Sequence, residues 1–317
     1  MFFVANRQTI FALIGFLALA AVGALGFWGL RFGIEFTGGT IVEVAYEERP
    51  DKEFLEERIQ SASIEELGGF SLRASGDAGY ILRTRDVSEA EYQALKGALA
   101  VPNAGFEEER RATVGPTIGE ELRNKAFVAI GVVVLLIIFY VAFAFRNVRN
   151  DEDGEEDTTG VSSWTYGLVA IFVLIHDLLI PLGLFAFLGV FVGAEVDVLI
   201  VMALLTILGY SVNDTIVIFD RVRENLLKNR EDRVEESFAD TVGHSLSQTY
   251  ARSINTSLTT LFVVGSLLVF GGSTTTYFAL TLATGVLAGT YSSLALAAPL
   301  LVAVEERQRK KRESVSS

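Results

Sequence analysis

Asp214 occupies a place where a charged side chain is expensive. It falls inside the apolar run Val198 to Phe219, about six residues from the run's arginine-bearing end, a depth of about 9 Å at the helical rise of 1.5 Å per residue. At that depth a carboxyl group can carry a charge, take a proton or pair with a cation. An acid there costs about 2.5 to 3.5 kcal/mol on insertion scales. A structural ion pair or a snorkelling carboxylate is the competing reading, and the size of the cost weighs toward function. Tyr210 and Thr206 precede Asp214 on the same helical face, and Arg221 follows it. One stripe of this helix is therefore polar and should meet protein or water, not lipid.

The next run carries a second stripe. Its strictly apolar part, Leu258 to Phe270, is too short to span a membrane, so the helix must extend back through Ala251 to Ser257. Arg252, Asn255, Thr256 and Thr259 then share one face at the i, i+3, i+4, i+7 spacing. The two runs are antiparallel neighbours, and Asp214 and Arg252 come out at comparable depths, which makes them candidate partners. A neighbouring cation favours the charged carboxylate and burial favours the neutral one. Gly285, Gly289 and Ser293, four residues apart, would let another helix approach the last run closely. His176 and Asp177 adjoin a mainly apolar stretch reaching Pro181. For them a packing or loop-proximal role is expected, with proton relay by the histidine as the alternative. Glu195 and Asp197 read as an exposed loop.

The elements that must hold these residues are membrane helices. Half of the 317 residues are hydrophobic, more than a water-soluble domain of this length needs. Six runs reach the roughly 20 residues a spanning helix requires: Thr9 to Leu30, Ala126 to Phe145, Tyr166 to Phe191, Val198 to Phe219, Tyr250 to Phe270 and Tyr277 to Val304. The first is about twice the length of a signal-peptide core and reads as a retained anchor. Arg7, Arg146 with Arg149, the Arg221 to Arg233 cluster and the Arg307 to Arg312 tail fall on one side if the six alternate. That side is cytoplasmic by the positive-inside rule, so both termini are expected there. The opposite short loops, Val192 to Asp197 and Gly271 to Thr276, carry no lysine or arginine. A net charge of -13 argues against nucleic acid as a partner. With no cysteine and two well-separated histidines, His176 and His244, neither a disulfide nor a metal or other cofactor is expected. The acidic run Asn150 to Gly160 reads as a solvated loop.

Between the first two spans the pattern changes from continuous apolar to alternating. Strands are expected at Thr40 to Tyr46, Phe70 to Ala74, Tyr80 to Thr84 and Phe106 to Thr113. A helix over Asp51 to Leu67 would bury Phe54, Leu55, Ile59 and Ile64. Another starts at Ser88, where Glu91 three residues on makes a capping box, and continues to about Leu99. The order βαββαβ is that of a ferredoxin-like sandwich. The fold class is thus a membrane all-α six-helix bundle with an inserted α+β domain outside the membrane. Residues 1–37 form the cytoplasmic N-terminus, first span and following turn, 38–113 the extracytoplasmic domain, and 114–317 the remaining spans with their loops and tail. The domain offers an open sheet face or edge for binding, and nothing in it looks catalytic.

These residues also carry a family resemblance. Gly33-Ile34-Glu35-Phe36-Thr37-Gly38-Gly39-Thr40 resembles the G-x-D-F-x-G-G-T signature after the first helix of the SecD/SecF protein-export membrane proteins. Val114 to Gly119 is similar to their V-G-P-x-x-G segment. Gly209 to Val217, continuing to Phe219-Asp220-Arg221, resembles their fourth helix, and Arg252 to Ser257 the start of their fifth. Glu35 departs from the usual aspartate but keeps its charge. The acidic loop after the second span also looks longer than usual. A short soluble domain and six spans correspond to the SecF half, not to the larger SecD. The resemblance implies a relative of the resistance-nodulation-division transporters that works with SecD at the SecYEG translocon in the cytoplasmic membrane. There it would use the proton-motive force, and hence protons, to help a translocating unfolded polypeptide across. It also implies that Asp214 and Arg252 belong to the proton pathway, beside Asn213, Asn255 and Thr256. Two alternatives stay open: a proton-coupled exporter of small molecules or lipids, and an assembly scaffold. No enzymatic activity is expected, because the spans hold no paired acids, His/Glu metal motif or Gly-x-Ser-x-Gly elbow.

Overall fold

The computed structural model describes residues 2–62, 69–102, 104–144, 161 and 163–316. Ile64, the Arg146/Arg149 pair and the acidic run 150–160 lie outside the described residues. After a single helical turn at Phe2–Ala5 come α1 (Arg7–Trp28), β1 (Gly39–Ala45), α2 (Lys52–Gln60), β2 (Ser71–Ser75), β3 (Gly79–Thr84), α3 (Glu89–Leu99) and β4 (Glu107–Val114). Then follow α4 (Pro116–Ala144), α5 (Ser163–Phe191), α6 (Val198–Glu231), α7 (Phe238–Phe270), α8 (Ser273–Ser292), a π-helical turn (Ser293–Ala297) and α9 (Ala298–Ser316). Among the described residues six helices are long and apolar enough to cross a membrane, the sixth running continuously from α8 into α9. The chain divides into two compact units. One comprises Met1–Leu30, Ala129–Ala194 and Leu199–Ser317, the other Arg31–Val128 with Glu195–Val198.

In the second unit the four strands form one antiparallel sheet in the order β2-β3-β1-β4. Side chains alternate across a strand, so Val42, Leu82 and Leu72, in register on adjacent strands, all point to the same side. There they meet Leu55 and Ile59 of α2 and Tyr92, Leu95 and Leu99 of α3. Tyr46 closes the cluster by donating from its hydroxyl to the Leu99 carbonyl at 2.8 Å. Phe54, expected in the buried stripe, is 45% exposed. It lies on the outer flank of α2, where the Arg58 guanidinium sits 5.7 Å from its ring centroid.

The unit reaches beyond 38–113 because its entry and exit strands interlock. Gly38 (φ 75°) and Gly39 (φ 138°) have backbone conformations that side-chain-bearing residues rarely adopt. A Cβ on Gly38 would lie 2.7 Å from Pro116 Cα, one on Gly39 2.6 Å from the Thr84 carbonyl oxygen, and one on Gly119 2.7 Å from the Gly38 nitrogen. The segment between α5 and α6 joins them: Gly33 N–H donates to the Val196 carbonyl at 2.8 Å, and Val196 N–H to that of Arg31 at 2.7 Å. Glu195 is therefore not the exposed loop residue expected. Its carboxylate pairs with Arg73 at 3.5 Å and also with Arg83, on neighbouring strands.

In the membrane unit α6 and α7 run well past the apolar limits read from the sequence. Beyond Phe219, α6 still buries Val222, and ahead of Tyr250, α7 buries Phe238, Val242 and Leu246. These side chains pack together, so the hairpin keeps an apolar seam after its outer faces have turned polar. In the turn, burial raises the pKa of Glu236. Hydrogen bonds from Asn229 and Thr241 and the nearby His244 ring outweigh that and hold it below its ordinary value.

At the start of α3, Ser88 Oγ accepts from the Glu91 N–H at 3.4 Å, while the Glu91 carboxylate accepts from the Ser88 N–H at 2.7 Å and from Arg85 at 2.5 Å. The Arg85 bond first, then those from Ser88, lower the Glu91 pKa from 4.5 to about 2. Because the folded-state value is depressed, the stabilisation is present above the unfolded value and is lost as pH falls from about 4.5 toward about 2. Replacing Glu91 with Gln should flatten this arm of the acid-unfolding profile, followed by circular dichroism. An unchanged acid limb would show that the box contributes nothing.

Candidate functional site

Two polar clusters occupy the membrane unit, and α6 carries part of both. The first surrounds Asp177 on α5, which is 1% exposed. Its Oδ2 accepts hydrogen bonds from Ser211 Oγ on α6 and from Ser292 Oγ on α8, the latter at 2.8 Å. Its Oδ1 lies 2.9 Å from His176 Nδ1, and His176 Nε2 lies 3.3 Å from the Tyr291 hydroxyl. The close approach depends on small residues. A Cβ on Gly289 would meet Ser211 Cβ at 3.1 Å, and one on Gly285 would collide with Ile207. The π-helical turn begins just past Ser292.

The second cluster lies between α6 and α7. Tyr210 donates to Ser257 Oγ at 3.0 Å, Thr290 of α8 donates to the same oxygen at 2.6 Å, and Asn225 donates to Ser245 Oγ at 2.8 Å. The antiparallel register set by the first and last of these bonds puts Asp214 level with Ser253. Asp214 is 5% exposed, and its Oδ2 has no hydrogen-bond partner; neither do the buried Thr215 Oγ1 and Ser253 Oγ. Arg252, near the same level on α7, makes no salt bridge to Asp214, so the pairing expected of the two is not formed in this structure.

The two stripes read from the sequence divide between an inward and an outward face. Asp214 is buried, Tyr210 and Thr256 are half-buried, and Thr206, Asn213, Arg252, Asn255 and Thr259 are exposed on this chain. Thr206 and Thr256 return their hydroxyl hydrogens to the Met202 and Arg252 carbonyls, at 2.8 and 2.9 Å. Asp220 is exposed, and half-buried Arg221 pairs with Glu224 at 2.9 Å. Among the other motif residues, Gly33, Phe36 and Gly39 are buried and Glu35 and Gly38 half-buried, all in the entry knot of the soluble unit.

The Asp177 cluster is what sequence reasoning missed. A packing or loop-proximal role was expected for His176 and Asp177. Both are interior, which fits packing and not a place near a loop, and Ser211 and Ser292 supply the polar lining that the apolar α5 lacks. The available signal was the one used for Asp214: an acid within an apolar run.

Fold and site together define a polytopic membrane protein with acids inside its helix bundle and an α+β domain in its first loop. A family model described as "Protein export membrane protein SecD/SecF, C-terminal" matches residues 96–150 and 161–307, and the "SecD/SecF GG Motif" matches residues 23–48. The chain belongs to the SecD/SecF family of protein-export membrane proteins. It is 39% identical over 289 residues to the protein translocase subunit SecF of Thermobaculum terrenum, covering 88% of this chain and 86% of that one. To the SecF subunit of Pseudomonas aeruginosa it is 35% identical, covering 95% of this chain and 90% of that one. The crystal structure of SecDF from Thermus thermophilus, titled a translocon-associated membrane protein, matches 96% of this chain with a TM-score of 0.80 at 31% identity. A second SecDF crystal structure, in a super-membrane-facing form, matches all of it with a TM-score of 0.68 at 32% identity. The chain spans about two fifths of those SecDF chains, 39% and 40%.

The α6–α8 contact supplies a direct test of this packing. Gly285→Leu should force the two helices apart and lower the thermal unfolding midpoint of the purified chain. Gly131→Leu, where no atom stands within 4 Å of the added Cβ, should leave it nearly unchanged. Equal midpoints for both variants would contradict the tight α6–α8 seam.

Proposed function

We propose that this chain is a SecF-type subunit that uses the proton-motive force to assist Sec-dependent protein translocation, with Asp214 as the group that binds and releases the proton. The observation that carries this reading is the Asp214 carboxyl group, buried in a membrane helix with Oδ2 unpaired. A fixed charge in that position is costly, and none of the described residues offsets it through a hydrogen bond to that oxygen. A carboxyl group that takes a proton from one side and yields it to the other turns the cost into a cycle. Arg252, exposed near the same level, acts as the cation that biases the charged half of that cycle. Each proton crossing a 100 mV potential supplies about 2.3 kcal/mol, enough to shift a two-state population about fifty-fold.

The exposed polar face formed by Asn213, Arg252 and Asn255 is the reason to assign a partner. Left in lipid it would be unfavourable, and a second transmembrane half of the SecD kind would cover it. We read the partners as SecD, the SecYEG translocon, the unfolded polypeptide in transit and protons, and the chain as a transporter subunit without enzymatic chemistry. Both termini are assigned to the cytoplasm on the lysine and arginine bias of the short loops. The soluble unit is read as a ferredoxin-like βαββαβ sandwich. Its order β2-β3-β1-β4 lets each of the crossovers β1-α2-β2 and β3-α3-β4 leave a gap that a strand of the other fills. Its edge strands, β2 and β4, then offer backbone groups to an extended polypeptide.

The test is export of a reporter protein by vesicles containing the chain and a SecD partner, with and without a proton gradient. Asp214→Asn should assemble normally and export at the rate seen when the gradient is collapsed. Full gradient-stimulated export by Asp214→Asn would remove this residue from the mechanism and favour the scaffold reading.

A further inference from the structure

The cluster around Asp177 has a property that the Asp214 site lacks: every polar atom in it has a partner, and the pattern suits two protonation states. Oδ2 is committed as acceptor to two hydroxyls, Ser211 and Ser292. Oδ1 faces His176 Nδ1 at 2.9 Å, a distance that requires one proton between them, whichever atom owns it. The remaining ring nitrogen, Nε2, faces a hydroxyl that can either donate or accept, that of Tyr291. Among the described residues no lysine or arginine forms a salt bridge with Asp177. Among the described residues the titratable groups linked to it are His176 on its own helix and, through His176, Tyr291 on α8; Asp214 follows Ser211 by one turn on α6, and α1, which packs against α5, carries no titratable side chain between Gln8 and Trp28.

We infer that the His176–Asp177 pair is a second proton-binding site of this chain, loading and unloading one proton at His176 Nε2. In the loaded state one proton lies between Oδ1 and Nδ1 and another is on Nε2, which donates to the Tyr291 oxygen; the pair is then neutral. On unloading, the Nε2 proton departs, the Tyr291 hydroxyl turns to donate to the bare nitrogen, and the pair carries one negative charge. The Ser211 and Ser292 hydroxyls already point at the oxygen that would hold this charge. Neither state leaves a buried group without a partner, so the exchange needs no rearrangement beyond the rotation of one hydroxyl. An apolar replacement of similar volume often costs no more in such an interior, so stability alone does not account for this arrangement.

Two further features connect the pair to its surroundings. Ser211 lies one turn before Asp214 on α6, so a change of charge at Asp177 reaches the helix that bears the other acid through a hydrogen bond already in place. Ser292 and Tyr291 immediately precede the π-helical turn, a local widening that gathers at functional sites. The purpose of such a site, serving as a second station for the translocating proton, rests on the proton-driven reading above. Its existence does not.

The chain has two histidines, so nitrogen-15 histidine labelling of the full chain in lipid vesicles gives two ring systems, and His244→Gln identifies that of His176. The His176 Nε2 resonance is expected to pass from the protonated to the bare position as the pH is raised. Asp177→Asn should displace or abolish that transition, and Asp214→Asn should leave it in place. A His176 ring held in one protonation state throughout, or a transition unaffected by Asp177→Asn, would overturn the inference. The readout needs no export. A titrating His176 alongside gradient-stimulated export in Asp214→Asn would therefore fault the proposed function and not this site, and a silent His176 with lost export the reverse.

Discussion

Removing a carboxylate from water inside a hydrocarbon layer is the cost around which the membrane unit is organised. The chain meets it twice and in different ways. Asp177 is enclosed by donors from three helices, so its burial is compensated group by group. Asp214, on the helix that supplies one of those donors, keeps an unpaired oxygen beside two unpaired hydroxyls. Both solutions need α6 packed closely against α8, and the small residues of α8 allow it. Gly285 and Gly289 let α8 lie against Ile207 and Ser211 closely enough for Ser292 to reach Asp177.

The same constraint orders the rest of the unit. Because α6 and α7 carry polar groups on their inner seam, hydroxyl ladders link them to each other and to α8: Tyr210 to Ser257, Thr290 to Ser257 and Asn225 to Ser245. Such bonds contribute modestly each in a membrane, commonly under about 1 kcal/mol, but they set the register that places Asp214 opposite Ser253. The helices with the least inner polarity, α1 and α4, are also the least enclosed by this chain, with 11% and 6% of their spanning windows buried. In the soluble unit the controlling requirement is different. There three glycines permit backbone contacts no side chain would allow, and an ion-paired Glu195 ties the α5–α6 segment to β2 and β3.

Much of this was legible in the sequence where a local rule acts alone. Apolar length marked the six spans, period-two alternation marked the strands, and the Ser88/Glu91 spacing marked the start of α3. The polar stripes marked α6 and α7 as helices that carry polar groups into the bundle. What sequence could not resolve was which part of a stripe turns inward: Asp214 does, Arg252 and Asn255 do not, and only the packing of α6 against α7 and α8 decides it. Phe54 was misassigned because a stripe counted on one helix ignores where the second helix leaves room. Glu195 and Asp177 were underrated for a shared reason. Their partners, Arg73 with Arg83 and Ser211 with Ser292, are remote in sequence, and a polar residue looks unsatisfied until the fold supplies them.

The central claim is that a buried acid on α6 carries the proton on which the chain's work depends. Proton flux tests it most directly, measured with a pH-sensitive dye inside vesicles that contain the chain and a SecD partner under an imposed potential. The account predicts that Asp214→Asn lowers the flux to the leak of protein-free vesicles while the complex remains assembled. Wild-type flux through Asp214→Asn would contradict it.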